Sequence, residues 1–213
     1  MSAQTTKVVL SGDLIGSRES PVEVAPAFAA LERGAARFGA AWDIDLRFTR
    51  FRGDGWQILL TNPRLVLDAT IFLTASLTAA VPKLSTRISA GIGTVDSEGS
   101  ADLSDASGPA FFISGDHLDH IGKRRLVVAA STTPDWLPAI FDLVAELMSG
   151  WTQAQAEAVV LALDPDIDTH DDIAKRLKIT RQAVQSRLAS AGFGSFDNAL
   201  AAVRNADFEA MRR

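Results

Sequence analysis

Cysteine is absent from the 213-residue chain, which excludes disulfides and every thiolate metal site. Histidine is nearly as scarce, and His117, His120 and His170 have no cysteine partners, which argues against a structural zinc. Long apolar runs are missing too: Thr, Ser, Pro and charges break each one short of the roughly 18 residues a membrane span requires. The first six residues are polar and lack a signal peptide's apolar segment, so the expected location is the cytoplasm, with no membrane partner. Internal repeats and low-complexity segments are absent. The composition that remains, 47% hydrophobic and 22% charged, is that of an ordinary globular protein. Its length suits one large domain or two smaller ones.

The net charge of −5 speaks against general adhesion to nucleic acid, but the charge is unevenly spread. Residues 173–190 carry Lys175, Arg176, Lys178, Arg181 and Arg187 and no acid, directly after Asp164, Asp166, Asp168, Asp171 and Asp172. A local basic face on an acidic protein is compatible with specific DNA binding, and also with a plain amphipathic helix pair.

Periodicity divides the chain in two. Residues 7–11 form a short β-branched run ending at Gly12, which predicts a buried strand. Residues 21–41 place Val24, Phe28, Leu31, Ala35 and Phe38 at helical spacing behind a first-turn Pro21. Residues 44–52 alternate as a strand, Gly53-Asp54-Gly55 marks a turn, and residues 56–60 resume as a strand. A helix over 63–81, a strand over 86–95, a helix over 108–121, a strand over 125–130 and a helix over 136–148 follow. After Gly150 the pattern is helical only: Thr152 to Gln155 reads as a capping box, Thr169 caps a second helix, residues 181–190 form a third, and Ser195 is placed to cap a last one. The expectation is an α+β domain over residues 1–150 whose first six elements are ferredoxin-like, followed by an all-α domain over 151–213.

In a split βαβ order the first and second strands are parallel with the third between them. The end of strand one and the hairpin of strands two and three then share one rim of the sheet. Asp13, expected just past the first strand, and Asp54, in the hairpin, meet there. Two such carboxylates are what Mg²⁺ or Mn²⁺ needs when it also holds a nucleotide's phosphates. Side by side they are costly unless a cation neutralises them. Backbone amides at Gly12 and Gly16 can approach phosphate closely. The competing reading is a pair of ordinary Asp-Gly turns. His117 and His120, three apart beside Asp116 and Asp119, could share a helix face, but no further ligand set accompanies them.

Val8-Val9-Leu10-Ser11-Gly12-Asp13-Leu14-Ile15-Gly16-Ser17, Phe51-Arg52-Gly53-Asp54-Gly55-Trp56, Arg87-Ile88-Ser89-Ala90-Gly91-Ile92-Gly93 and Gly108-Pro109-Ala110-Phe111 together resemble the catalytic domain of class III nucleotidyl cyclases. They resemble GGDEF-type diguanylate cyclases more distantly, and are most similar to the small bacterial SatD-like proteins, which join such a domain to a DNA-binding tail. The resemblance covers about residues 7–130. It implies Asp13 and Asp54 as Mg²⁺ (or Mn²⁺) ligands, with the Ile15 carbonyl as a further one. It also implies a nucleotide held by Gly12, Gly16, Ser17 and Gly53, with Arg50 at a base-reading position, and a homodimer. Where the family has an asparagine and, four residues on, a charge-stabilising arginine, this chain has Phe112 and Asp116. Loss of such a stabiliser can lower a rate by about 10³ or more. Arg18, Arg52 or the run Lys123-Arg124-Arg125 would have to replace it, although a basic run is more often a solvated strand start.

Residues 173–188 resemble the promoter-reading helix-turn-helix of sigma factors, with Lys178 and Thr180 in the turn and Arg181, Gln182, Gln185, Ser186 and Arg187 facing outward on the third helix. A three-helix bundle for protein contact is the alternative. The expected function is a DNA-binding transcriptional regulator whose cyclase-like domain binds a metal–nucleotide ligand. The alternative is an active Mg²⁺-dependent nucleotidyl cyclase or related nucleotidyltransferase acting on a nucleoside triphosphate.

Overall fold

The computed structural model of the chain describes residues 5–51, 53–100 and 102–211. Strand β1 (Lys7–Ile15) leads through a 3-10 turn into α1 (Val24–Ala41); β2 (Leu46–Arg50) and β3 (Gly55–Leu60) form a hairpin; and α2 (Val66–Ala80) returns the chain to β4 (Ser85–Gly93). Helix α3 (Pro109–Asp119) crosses over to β5 (Leu126–Ala129), and α4 (Trp136–Ser149) closes this part. Five helices follow: α5 (Gln153–Ala162), α6 (His170–Leu177), α7 (Arg181–Ser190), α8 (Phe196–Arg204) and α9 (Phe208–Met211).

The sheet order is β2-β3-β1-β4-β5. Strand β3 is antiparallel to both β1 and β2, β4 is antiparallel to β1, and β5 is parallel to β4. The first four strands therefore have the split βαβ order, with β5 added at the edge. Alternation along each strand gives the sheet two unlike faces. Val8, Leu10, Trp56, Ile58, Ile88 and Ala90 enter the main core with α1, α2 and α4. Val9 and Leu59 on the other face pack under Ala110 of α3 and Leu103.

Strand β1 runs four residues beyond its apolar run, so Gly12 and Asp13 lie inside it rather than in a turn. The reason is pairing on both sides: Asp13 opposes Gly55 of β3 and Arg87 of β4. The tail is not separate from the sheet layer, because the apolar core continues from α2 into Ala156, Val159, Val184, Leu188 and Phe196. The capping box forms as the sequence predicts, with Thr152 and Gln155 satisfying each other's backbone amides. Ser195 caps nothing with its side chain; it ends a 3-10 turn ahead of α8. Among the described residues no helix is long and apolar enough to cross a membrane.

Candidate functional site

Directly paired residues in an antiparallel ladder share a face. Asp13 and Arg87 are such a pair, in the row after Ser11 and Ser89, on the face that α3 covers only in part. Arg87 donates from Nε to Asp13 Oδ1 at 2.8 Å and from Nη2 to Asp13 Oδ2, a fork-to-fork ion pair. Their side chains are 34% and 22% exposed, so the pair is open to a ligand. That hydrogen bond to Asp13 raises the affinity of Arg87 for its proton, and the charges of Asp13 and, further, Asp54 add to the effect.

Asp54 arrives from the hairpin. Its carbonyl accepts from the Leu14 amide at 3.1 Å, and its Oδ2 accepts from the Ser17 hydroxyl at 2.7 Å. Gly53 makes the turn possible, with a φ of +71° and open space where a side chain would sit. Gly16 has a φ of +86° and turns the chain off β1 towards α1, its carbonyl accepting from the Ser20 amide. The rim thus brings together Asp13, Asp54, Gly16, Ser17 and Gly53, with Ile15 at the end of β1 opposite Ser85.

Two expected contributors lie elsewhere. A Cβ on Gly12 would strike the Trp56 indole and come within 2.7 Å of the Arg87 carbonyl. Gly12 is therefore filled over by Trp56, whose Nε1 donates to Thr86 Oγ1, which in turn donates to the Asp13 carbonyl. It shapes β1 from behind instead of offering its backbone to phosphate. Arg50 pairs with Trp56 across β2 and β3, which puts it on the α1 face with its guanidinium 4.0 Å from the centre of the Phe28 ring. It is on the opposite side of the sheet from Asp13. Arg52 lies outside the described residues.

Arg87 is the site residue that reading the motifs missed. It stands 74 positions from Asp13, and only the antiparallel register of β1 and β4 makes them neighbours. The signal was the resemblance segment itself, whose first residue is this arginine, two residues before Ser89 on the same face.

The donor set suits a hard cation that brings ligands with it. One carboxylate stands on β1 and a second in the adjoining hairpin turn, and a guanidinium bonded to the first also feels the charge of the second. Among the described residues no third acid, histidine or cysteine joins them. Carbonyl, water and phosphate oxygens would have to complete the coordination, which is the usual situation for Mg²⁺. Phe112 is 74% exposed on α3, and Asp116 lies exposed on the same helix, so neither supplies charge to the rim. Arg125 is exposed, with Nη1 reaching Ser85 Oγ at 3.4 Å, and Arg124 pairs with Asp142. The His117 and His120 rings bond to carbonyls of their own helix turn, those of Ile113 and Asp116.

In the tail, Lys178 takes a left-handed conformation that ends α6, and Thr180 caps α7 by accepting from the Ala183 amide. Lys178, Arg181, Gln182, Gln185 and Ser186 are exposed. Arg187 does not face outward as expected: it bonds the Ala154 carbonyl and the Glu157 carboxylate of α5 and is 27% exposed. Its neighbours Val184 and Leu188 are buried, and the long arginine stem follows them onto α5. Arg181 is 3.6 Å from Asp171, so the preceding acidic block partly neutralises the basic segment.

No protein-family model matches the chain, and no curated protein does. Among solved structures it is similar to a bacterial light-regulated adenylyl cyclase, at 18% identity over 59% of this chain and 43% of that one, with a TM-score of 0.40. It is similar to the guanylyl cyclase Cya2 at 14% identity over 59% of this chain and 75% of that one, TM-score 0.41. A second structure of a bacterial light-regulated adenylyl cyclase matches at 17% identity over 58% and 75%, TM-score 0.38. The chain spans less than half the length of the first of these structures.

Proposed function

We propose that the rim formed by Asp13 and Asp54 binds a nucleoside triphosphate together with its Mg²⁺ or Mn²⁺, and that its chemistry is nucleotidyl transfer, cyclisation included. The observation that carries this reading is the Asp13–Arg87 fork on a partly open sheet face, beside the hairpin turn that brings in Asp54, whose charge Arg87 also feels. Asp13 and Asp54 would hold the cation, with the Ile15 carbonyl as a further ligand. The bound cation would withdraw charge from the phosphate oxygens. The backbone amides of the turn at Gly16 and Ser17 would contact the same phosphates, while the Ser17 hydroxyl holds Asp54. In the transfer an attacking hydroxyl oxygen bonds to the α-phosphorus and gives its proton to solvent, the α–β anhydride bond breaks, and pyrophosphate leaves with the electron pair. Charge develops on the phosphoryl oxygens, and Arg87 is the guanidinium already bonded to this acid pair.

Product analysis after incubation with Mn²⁺ or Mg²⁺ and each of the common triphosphates tests the reading. Pyrophosphate release with a new nucleotide product that is lost in Asp13→Asn supports it. Binding without turnover reduces it to a nucleotide sensor, and neither binding nor turnover removes it.

DNA contact by α6 and α7 is a second reading, supported by the capped short turn and by the exposed Gln182, Gln185 and Ser186. Since Arg187 is held by Glu157 and Arg181 lies beside Asp171, phosphate contact would depend chiefly on Arg176 and Lys178. Because the helices share their core with α2, the full chain is the species to test. Salt-sensitive binding to a random duplex library is the expected result, and its absence would leave α6 and α7 a purely structural pair.

A further inference from the structure

Three of the four oxygens of the acid pair already have partners: both of Asp13 are taken by Arg87, and Oδ2 of Asp54 by Ser17. A bare divalent cation would meet a positive guanidinium and one unshared carboxylate oxygen. A cation that arrives with a triphosphate meets a different situation, because its phosphate oxygens offer the guanidinium an equivalent planar, bidentate partner. We propose that Arg87 is an exchangeable internal counter-cation: it closes the acid pair in the unliganded protein and is handed from Asp13 to a phosphate when the metal–nucleotide complex binds. The inference rests on the reading of Asp13 and Asp54 as a metal–nucleotide site.

The surroundings allow the exchange. The pair is partly exposed, so parting it carries none of the penalty of stranding a charge in the core. Strand β4 is paired on both sides, with β1 and β5, so its backbone stays in place while the side chain moves. The Thr86 hydroxyl, which accepts from Trp56 and donates to the Asp13 and Arg87 carbonyls, ties this stretch of backbone in from behind. What remains free to rearrange is the guanidinium and its stem. The consequence is selectivity: the site should discriminate against free metal and accept metal and phosphate together.

Titration of wild type, Arg87→Gln and Arg87→Lys separates the possibilities, with Mn²⁺ alone followed by paramagnetic resonance and a Mg²⁺-loaded non-hydrolysable triphosphate followed by calorimetry. The expected result is a change of opposite sign for the two ligands. Arg87→Gln should bind Mn²⁺ alone about tenfold more tightly and the metal–triphosphate about tenfold more weakly, a charge-assisted contact being gained in one case and lost in the other. Arg87→Lys, which keeps the charge without the fork, should fall between. Equal Mn²⁺ affinities in wild type and Arg87→Gln, or weakening of both ligands together, would overturn the exchange. The site reading would survive that result if Asp13→Asn still abolished triphosphate binding. If wild type binds neither ligand, or if Asp13→Asn binds both unchanged, the site reading fails and the exchange with it.

Discussion

Two aspartate–arginine forks of the same composition occur in this molecule, and they are built for opposite purposes. Asp68, on α2 and 0% exposed, accepts both Arg204 nitrogens of α8, while the guanidinium lies 5.2 Å from the Trp42 ring centre. Burial pushes the Asp68 carboxyl above the ordinary carboxylate range, and the hydrogen bond and charge of Arg204 draw it back. Asp13 and Arg87 make the same fork at the sheet rim, with a second carboxylate, Asp54, close enough for Arg87 to feel its charge. The first pair has one acid and one base, and its carboxylate is wholly enclosed although the Arg204 side chain is 40% exposed, so it ties α8 to α2. The second has a surplus acid and an open side, so it can change partners. The same fork thus differs between the two places in the burial of its carboxylate and in the charge left over.

Removing one member should show the difference most strongly at the buried fork. Arg204→Ala leaves Asp68 charged and enclosed, and should lower unfolding stability by about 3–5 kcal/mol in denaturant titrations. Arg87→Ala in the unliganded protein should cost no more than about 1 kcal/mol, since Asp13 remains hydrated. If the two losses were equal, burial would not be what distinguishes the pairs.

Arg50→Ala sharpens the comparison from the other side of the sheet. Its loss of the Phe28 contact should cost about 0.5–1 kcal/mol of stability while leaving metal–triphosphate affinity within about twofold. A large fall in affinity would mean that the nucleotide reaches the α1 face. The smallest effect expected is at Glu98, which Lys7 above all, and then Arg47, hold below the usual carboxylate range. A depressed acid contributes stability that is present above its unfolded pKa of about 4.3 and lost as pH falls through its lower folded value. Glu98→Gln should therefore flatten the acid side of the stability profile below about pH 4 and change little near neutrality.

The elements themselves were legible because their signals are local: the Thr152 capping box, the Thr169 cap, and the alternation of β2. The extra length of β1 was not, because the residues that extend it are polar and owe their conformation to Gly55 and Arg87 on neighbouring strands. That the end of β1 lies beside the hairpin turn carrying Asp54 could be deduced from strand order. The sidedness of Arg50 was present in the alternation of Leu46, Phe48 and Arg50, since Phe48 stacks on buried Trp56 and a residue two positions on must share its face. Arg87 with Asp13 and Arg204 with Asp68 were hidden by separations of 74 and 136 positions, which no local period can bridge. Arg187 shows the same limit: its outward position on a helical wheel ignores the α5 carboxylate that captures it.

The central claim is that Asp13 and Asp54 act as one metal–nucleotide site. Calorimetric titration of a Mg²⁺-loaded triphosphate into wild type, Asp54→Asn and the exposed control Asp116→Asn tests it most directly. Saturable binding is expected in wild type and in Asp116→Asn, with a loss of at least about 100-fold in Asp54→Asn, consistent with removing a charged ligand oxygen. Equal affinity in wild type and Asp54→Asn would contradict it.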